Sequence, residues 1–240
     1  NDFHQNRDRL FRVNYSVKHV DGSINTAVYL NPKLSEVIKD KVPQVKRCTA
    51  FRSAHMPALN FENHNFEEDL YITEPDFFNM FSFKFIIGNK DEIFKNPDEI
   101  AITKSLASKF QAISACTIED LIGKPVYFMN SGDQPFVISA IMEDVPKNSS
   151  IQFNALIPYK YEGAFNASCN MFGNSSIYYE TSNKKDVHSA EIQVTKTILE
   201  YYKDLVNEFQ SQKVIASTAE GFSPFVLPFK DVYLDKVDTD

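Results

Sequence analysis

The 240-residue sequence has no tryptophan, only 7 glycines and 3 cysteines, and no apolar run near the roughly 18 residues that a membrane-spanning helix needs. Instead, 21 phenylalanines and 11 tyrosines supply its aromatic content. With 43% hydrophobic and 24% charged residues, the composition is that of a globular protein. It excludes disordered, collagen-like and coiled-coil chains. The length suits one large domain or two intertwined lobes.

Positive charge is also scarce. There are 25 Lys and Arg against 32 Asp and Glu, a net charge of −7, and no basic cluster is longer than the pair Lys184-Lys185. Nucleic acids and anionic lipids need a basic surface, so we exclude both as partners. The chain opens at Asn1 without a Met and without a signal peptide, so we expect a processed product or an excerpt of a longer protein.

The three cysteines, Cys48, Cys116 and Cys169, lie far apart and form no C-x-x-C pair. This spacing indicates neither a disulfide framework nor a zinc ribbon. One disulfide with a free thiol and three separate buried thiols both stay open. Buried thiols are the more usual state of cysteine in a chain of this size.

Motifs for catalysis and cofactor binding are missing. The sequence has no G-x-S-x-G, G-x-G-x-x-G, G-x-x-x-x-G-K-[ST] or H-E-x-x-H. His55 and His64 precede an acidic trio at positions 67–69, but their nine-residue spacing places them on no shared helix face. We therefore predict no enzyme activity, no catalytic residue, no metal and no cofactor.

The N-terminal part predicts a β-β-α-β unit. Residues 11–17 alternate apolar and polar, as expected for a strand with one face in water, and Asp21-Gly22 favours a tight turn into a partner strand over residues 24–30. A short helix around residues 34–38 ends before Pro43, and a strand follows over 45–51.

The middle part predicts short strands. Residues 53–65 are rich in Asn, His and Pro and are typical of a loop. One helix is expected over 104–110, capped by Thr103 or Ser105 and facing inward with Leu106, Ala107 and Phe110. The predicted strands are 66–73, 81–87, 99–103, 124–129, 135–143 and 151–157, with a hairpin turn at 131–133.

Phenylalanines crowd residues 77–85. Phe81, Phe83 and Phe85 alternate like one face of a strand, whereas Phe77 and Phe78 follow Pro75 in a helical turn. A ligand-gripping surface is the alternative, but the pattern favours core.

The C-terminal part predicts a helix from Asp186 to about Phe209 whose apolar stripe covers a sheet; docking of a neighbouring chain is the alternative. Strands near 214–217 and 225–234 follow. Because both ends combine strand, helix and strand, we expect them to share one lobe. The predicted fold is α+β (mixed α/β) and two-lobed: 1–55 with 175–240 form an α/β lobe, 66–160 an inserted strand-rich lobe, and 56–65 and 161–174 the connecting loops.

The chain ends carry a family resemblance. Residues 2–13 resemble the segment after the first membrane helix in FtsX-like permeases of Bacteroidetes ABC transporters, which reads approximately F-H-x-N-x-D-R-(I/L)-(Y/F)-R-V. The matching positions are Phe3, His4, Asn6, Asp8, Arg9 and Arg12. Residues 227–234 are similar to the segment before the second membrane helix, at Pro228, Tyr233 and Leu234.

Three internal passages agree in the same order, so the resemblance spans nearly the whole chain. They lie at 76–88, 100–124 and 143–153 and match at Phe77, Phe78, Gly88, Thr103, Lys104, Ala107, Gly123, Lys124, Asp144, Pro146, Asn148, Ser149 and Phe153. Two stretches depart from the family. Residues 111–114 replace the usual F-G, and 166–176 match no family pattern.

The resemblance implies a MacB-like periplasmic domain with a porter-like α/β lobe and an inserted strand-rich lobe. Its location would be the periplasmic face of the bacterial inner membrane, as a domain of an integral membrane protein. The implied partners are its own membrane helices, a separate cytoplasmic ATPase, a second permease copy and a periplasmic adaptor. The implied role is non-catalytic transmission of conformational change, with the motif residues serving the structure. A stand-alone periplasmic binding module is the alternative.

Overall fold

The computed structural model describes residues 4–54, 58–128, 134–159 and 172–234, and it confirms the predicted mixed α+β class. The helices are α1 Leu34–Lys41, α2 Asp76–Met80, α3 Lys104–Ser114, α4 Val187–Tyr201 and α5 Lys203–Ser211. The strands are β1 Leu10–Lys18, β2 Ile24–Ala27, β3 Tyr29–Leu30, β4 Val45–Ser53, β5 Leu59–Phe61, β6 His64–Phe66, β7 Leu70–Thr73, β8 Phe85–Ile87, β9 Glu99–Thr103, β10 Pro125–Phe128, β11 Phe136–Met142, β12 Ala155–Pro158, β13 Ser175–Thr181 and β14 Phe222–Pro228. Short 3-10 turns occupy Arg7–Arg9, Glu119–Leu121, Lys184–Asp186 and Phe229–Leu234.

The chain forms two compact units. Unit 1 comprises Asn1–Ala50 and Ser168–Asp240, and unit 2 comprises Phe51–Ala167. The chain leaves unit 1 within β4. Both chain ends therefore belong to unit 1.

The sheet of unit 1 has the order β14-β1-β13-β4, with β2 added to β1 and β3 to β13. Its central strand, β1, pairs antiparallel with β14, β13 and β2. The sequence pattern predicts one wet face for β1, and this is wrong: Arg12 and Asn14 are buried. They are tolerated because Arg12 Nε donates to Asn14 Oδ1 over 2.9 Å, which satisfies both side chains in part.

The turn predicted at Asp21-Gly22 is confirmed. Gly22 has φ +87°, and Asp21 Oδ1 accepts hydrogen bonds from the backbone N and the hydroxyl of Ser23. Later predictions in unit 1 need correction. No strand covers 214–217 beyond a bridge between Ile215 and His19, and β14 begins at Phe222 and gives way to a 3-10 turn after Pro228.

The long C-terminal helix is interrupted at Tyr202, which separates α4 from α5. The Tyr202 hydroxyl donates to Phe172 O over 2.6 Å and accepts from Asn31 N over 2.7 Å. The side chain is thus held by two loops at the point where α4 and α5 meet. The predicted stripe is correct at Ala190, Val194 and Ile198, whereas Leu199 is 45% exposed.

The sheet of unit 2 runs from the end of β4 through β7, β12, β9, β11 and β10 to β5 and β6, with β8 paired to β11. Strands β7 and β12 pair in parallel, as do β9 and β11, while the other pairs are antiparallel. Helix α3 covers the sheet with Leu106, Ala107 and Phe110 buried, as predicted.

The prediction of a connecting loop over 56–65 is wrong for its described residues, since β5 and β6 form a hairpin there. Its two turn residues, Glu62 (φ 47°) and Asn63 (φ 65°), both have positive φ. A two-residue hairpin turn of this kind usually contains glycine, and the sequence offers none. The hairpin predicted at 131–133 and most of the 161–174 loop lie outside the described residues.

Phenylalanines form a second core in unit 2. The Phe77 ring contacts those of Phe51, Phe81, Phe83 and Phe153 at centroid distances of 4.9–6.0 Å. The prediction of core is confirmed for Phe77, Phe78 and Phe81, which are buried. The strand predicted over 81–87 is wrong before Phe85, because Phe81 ends α2 and is fixed by a backbone bond to Phe77 O.

Two cysteines are described, and both are free thiols. Cys48 is buried and Cys116 half-buried. Cys169 lies outside the described residues.

Candidate functional site at the chain ends

The two ends of the chain meet in unit 1. Strands β1 and β14 pair from Phe11–Pro228 to Val17–Phe222, and the 3-10 turn Arg7–Arg9 contacts the 3-10 turn Phe229–Leu234. We call residues 4–12 and 228–234, with the side chains that hold them, the terminal junction. A segment attached before residue 4 and one attached after residue 234 would therefore leave from neighbouring points.

An apolar contact joins the ends directly. His4 is only 1% exposed, and its ring lies 5.3 Å from that of Phe229 in an edge-to-face arrangement. Phe229 is fully buried and its ring lies 5.9 Å from that of Tyr178 on β13. Burial lowers the pKa of His4 to about 3, so the imidazole is neutral at physiological pH.

Arg9 fixes the N-terminal turn to the start of the sheet. Its Nη2 donates to Asn6 Oδ1 over 2.8 Å, and its Nη1 donates to the carbonyl oxygens of Thr181 and Ser182 over 3.2 and 3.0 Å. A single side chain thereby orders the residues before β1 and those that follow β13.

The same arginine belongs to a buried ion-pair triad, Arg9–Glu180–Arg47. The Glu180 side chain is fully buried, with Oε1 3.0 Å from Arg9 Nη2 and Oε2 2.8 Å from Arg47 Nη1. A buried carboxylate is stable only when it is paired with charge and hydrogen-bond donors. The triad joins β13 to β4 and to the N-terminal turn.

Arg12 and Asp8 have different roles. Arg12 is buried, hydrogen-bonded to Tyr178, and lowers the pKa of that hydroxyl, although burial raises it more. Asp8 is exposed and accepts a 2.6 Å hydrogen bond from Lys184 Nζ, which lowers the pKa of its carboxyl.

The C-terminal motif residues lie beside the first strand. Pro228 pairs with Phe11, and Tyr233 and Leu234 lie in the last 3-10 turn. Phe3 lies outside the described residues.

Sequence comparison decides the family. The family model described as the MacB-like periplasmic core domain matches residues 1–197. The chain belongs to this family. It is a MacB-like periplasmic core domain. No curated protein matches the sequence.

Solved structures give the same fold. A domain of a Porphyromonas gingivalis protein assigned as a permease has a TM-score of 0.73 at 21% identity, covering 94% of this chain and 91% of its own. The extracellular domain of the noncanonic ABC-type transporter YknZ from Gram-positive bacteria has 0.61 at 12%, covering 90% and 99%. The periplasmic region of MacB from Actinobacillus actinomycetemcomitans has 0.53 at 17%, covering 97% and 95%.

The internal motif residues of this MacB-like domain lie in unit 2. Phe77, Phe78 and Phe153 belong to the phenylalanine core. Gly88 has φ +87°, and a Cβ added there would lie 3.0 Å from Ala140 Cβ. Only glycine fits this site without strain.

The motif at 143–149 caps helix α3. Asp144 Oδ1 accepts a 2.8 Å hydrogen bond from Ser105 N, and Oδ2 accepts one of 2.7 Å from the Ser105 hydroxyl. Thr103 precedes the helix but makes no side-chain cap bond, so the predicted local cap is replaced by one from 39 residues away. A carboxylate at a helix N-terminus also interacts favourably with the helix dipole.

The neighbouring motif residues support this cap. Lys104 Nζ lies 3.8 Å from Glu143 Oε2, and Ala107 lies on the buried face of α3. Pro146, Asn148 and Ser149 form a turn after Asp144, closed by a 2.9 Å bond from Ser149 N to Pro146 O.

Gly123 and Lys124 immediately precede strand β10. Gly123 has φ +84° and donates to Ile138 O over 2.9 Å. Lys124 Nζ donates to Glu62 Oε1 over 2.8 Å, which lowers the pKa of that carboxyl, and to Ser114 Oγ over 3.1 Å. The Lys124–Glu62 pair borders an open cavity of about 380 Å³ that Asn60 and Tyr127 also line.

Sequence reasoning missed the partners that complete the terminal junction. Glu180 is the single charge in strand β13, whose seven residues are all buried, and a buried charge needs a partner. Arg47 and Phe229 carry no local signal. Within the described ranges, no group of three His, Cys, Asp or Glu residues is arranged to hold a metal ion, and no helix is long and apolar enough to cross a membrane.

Proposed function

We propose that this domain transmits conformational change from membrane helices at its two ends to a substrate or partner in the periplasm. A separate cytoplasmic ATPase drives the change. Unit 1 is the porter-like lobe that receives the movement, and unit 2 is the inserted lobe that passes it on to the substrate or partner. The motif residues have structural roles in both lobes.

The terminal junction is the observation that carries this proposal. The segments at the two chain ends pair along seven residues and share the His4–Phe229 contact. A movement of either flanking membrane helix would therefore act on the same sheet. The polar ties of Arg9 and Glu180 resist separation of the N-terminal turn from that sheet, because breaking them would leave the buried Glu180 carboxylate without one of its two charged partners.

The membrane location is tested first, on the untruncated gene product. We expect it to stay in the inner membrane after a carbonate wash, and protease added from the periplasmic side should remove this domain. Release of the intact protein by carbonate would contradict the proposal and favour the stand-alone binding module.

Transmission is tested by spin-label distances in the full-length permease assembled with its ATPase in nanodiscs. One label replaces exposed Ser108 on α3 in unit 2, and the other replaces exposed Lys196 on α4 in unit 1. Labels on Glu36 and Lys196, both in unit 1, form the control pair. Cys48, Cys116 and Cys169 are first replaced by Ala or Ser.

We expect ATP with vanadate to change the 108–196 distance distribution and to leave the 36–196 distribution unchanged. An ATPase variant that cannot bind nucleotide should abolish the change. Identical 108–196 distributions with and without nucleotide would contradict the proposal.

A further inference from the structure

Arg52 is a buried charge near the end of strand β4 in unit 2. It pairs with Ile72 on β7 and is only 6% exposed. Its guanidinium carbon lies 5.6 Å from the centre of the Tyr159 ring. The buried nitrogens Nε and Nη1 have no hydrogen-bond partner, and no ion pair of Arg52 is found within the described ranges.

The other buried or half-buried arginines of the chain differ from Arg52. Arg12 is as deeply buried but donates to Asn14, while Arg9 and Arg47 pair with Glu180. Arginine cannot lose its proton in a protein, so burial cannot neutralise it as it can lysine. A buried guanidinium without an anion is strongly unfavourable.

We propose that Arg52 binds the carboxylate of a small organic acid. Each two-nitrogen edge of a guanidinium can donate to both oxygens of one carboxylate. The surroundings favour an acid with an apolar body, because Tyr159 packs against the apolar core that contains Ala54, Ile72 and Ile157. The inference is independent of the proposed transmission of movement.

The binding test uses the 240-residue chain with hexanoate as the probe and hexanol as its uncharged match. Thermal unfolding is followed by circular dichroism at increasing probe concentration. We expect hexanoate, but not hexanol, to raise the Tm of the wild type. Arg7→Met, which removes an arginine of unit 1 whose side chain is 43% exposed, is the control and should respond like the wild type.

Variants at position 52 distinguish the effect of the positive charge from that of the guanidinium geometry. Arg52→Met should match or exceed the Tm of the wild type without probe, because it removes an uncompensated charge, and it should not respond to hexanoate. Arg52→Lys keeps the charge but loses the two-nitrogen edge that donates to both carboxylate oxygens, so the Kd for hexanoate should rise at least tenfold. Should a variant fail to fold, the ¹⁵N signal of the wild-type Arg52 Nε–H is titrated with hexanoate instead and should shift.

Two results would overturn the proposal. One is an unchanged Tm and an unchanged Arg52 signal in the wild type at every hexanoate concentration. The other is an equal loss of stability in Arg52→Met and in Glu162→Gln without probe. That result would mean that the chain itself supplies the carboxylate, since Glu162 is the next acidic residue after Tyr159 in the sequence.

Discussion

The terminal junction of unit 1 and the phenylalanine core of unit 2 are stabilised by different kinds of interaction. The terminal junction of unit 1 depends on buried polar ties, namely the Arg9–Glu180–Arg47 triad and the Arg12–Asn14 bond. The phenylalanine core of unit 2 instead depends on ring packing around Phe77. Apolar packing tolerates small shifts, whereas a charged hydrogen bond specifies one geometry.

This difference fits the proposed roles of the two units. A region that receives movement from membrane helices needs a defined attachment geometry, which the triad provides. The comparison makes four predictions about stability, each measured by urea unfolding with circular dichroism. Hydrogen exchange with mass spectrometry then identifies the unit that loses protection.

The largest effect is expected for Phe77→Ala. It removes a fully buried ring and leaves a cavity, which costs about 4 kcal/mol of unfolding free energy. Peptides of unit 2 should lose protection first. Phe225→Ala, at a phenylalanine that is 37% exposed in unit 1, is the matched control and should cost about 1 kcal/mol or less. Equal effects of the two changes would contradict the apolar description of unit 2.

Glu180→Gln should have the next largest effect, because it leaves Arg9 and Arg47 without their shared counter-charge. The expected loss is about 3 kcal/mol, with protection lost first in peptides of β13 and the N-terminal turn. Glu200→Gln breaks the exposed ion pair with Lys41 and should change stability by less than about 1 kcal/mol. A loss below that of the control would show that the triad is not a stabilising element.

The third prediction concerns pH. Because the pKa of His4 is about 3 in the folded protein and ordinarily 6.5, the unfolded chain binds the proton more readily. The buried neutral His4 therefore costs no stability above pH 6.5. Between pH 6.5 and pH 3 the free energy of unfolding falls by about 1.4 kcal/mol per pH unit. At pH 5 the expected loss is about 2 kcal/mol. His4→Phe should flatten this part of the profile, and an unchanged profile in the variant would disprove the assignment.

The smallest effects come from two buried tyrosines of unit 1. Tyr202→Phe removes a hydroxyl that makes two hydrogen bonds and should cost about 1 kcal/mol. The Tyr179 hydroxyl is buried without a hydrogen-bond partner, so Tyr179→Phe should leave stability unchanged or raise it slightly. A larger loss of stability in Tyr179→Phe than in Tyr202→Phe would show that the Tyr202 hydrogen bonds are weak.

Local patterns predicted much of the fold. The alternation in β1, the turn at Asp21-Gly22 and the inward face of α3 each depend on residues a few positions apart. The hairpin at Glu62 and Asn63 was not predictable, because its turn lacks the glycine that marks such turns. The break at Tyr202 was also not predictable, because the Tyr202 side chain contacts residues that are distant in sequence.

The candidate site was predictable only in part. The first and last passages contain His4, Arg9 and Arg12, and the resemblance drew attention to them. Asp144 was also recognised, but its task as the cap of α3 was not, because Ser105 lies 39 positions away. Glu180 is the lone charge in strand β13, but only the structure shows that the whole strand is buried. Nothing near Arg47 or Phe229 in the sequence points to the terminal junction.

The composition class, the α+β pattern and the family follow from the sequence alone, because they depend on residue types and on short-range periodicity. Which charges are satisfied depends on the tertiary structure. Arg47 and Glu180 are 133 positions apart yet form one ion pair, whereas Arg52 is buried without a hydrogen-bond partner at Nε or Nη1. Burial and pairing of a charge depend on what the folded chain places around it, and sequence spacing carries no record of that.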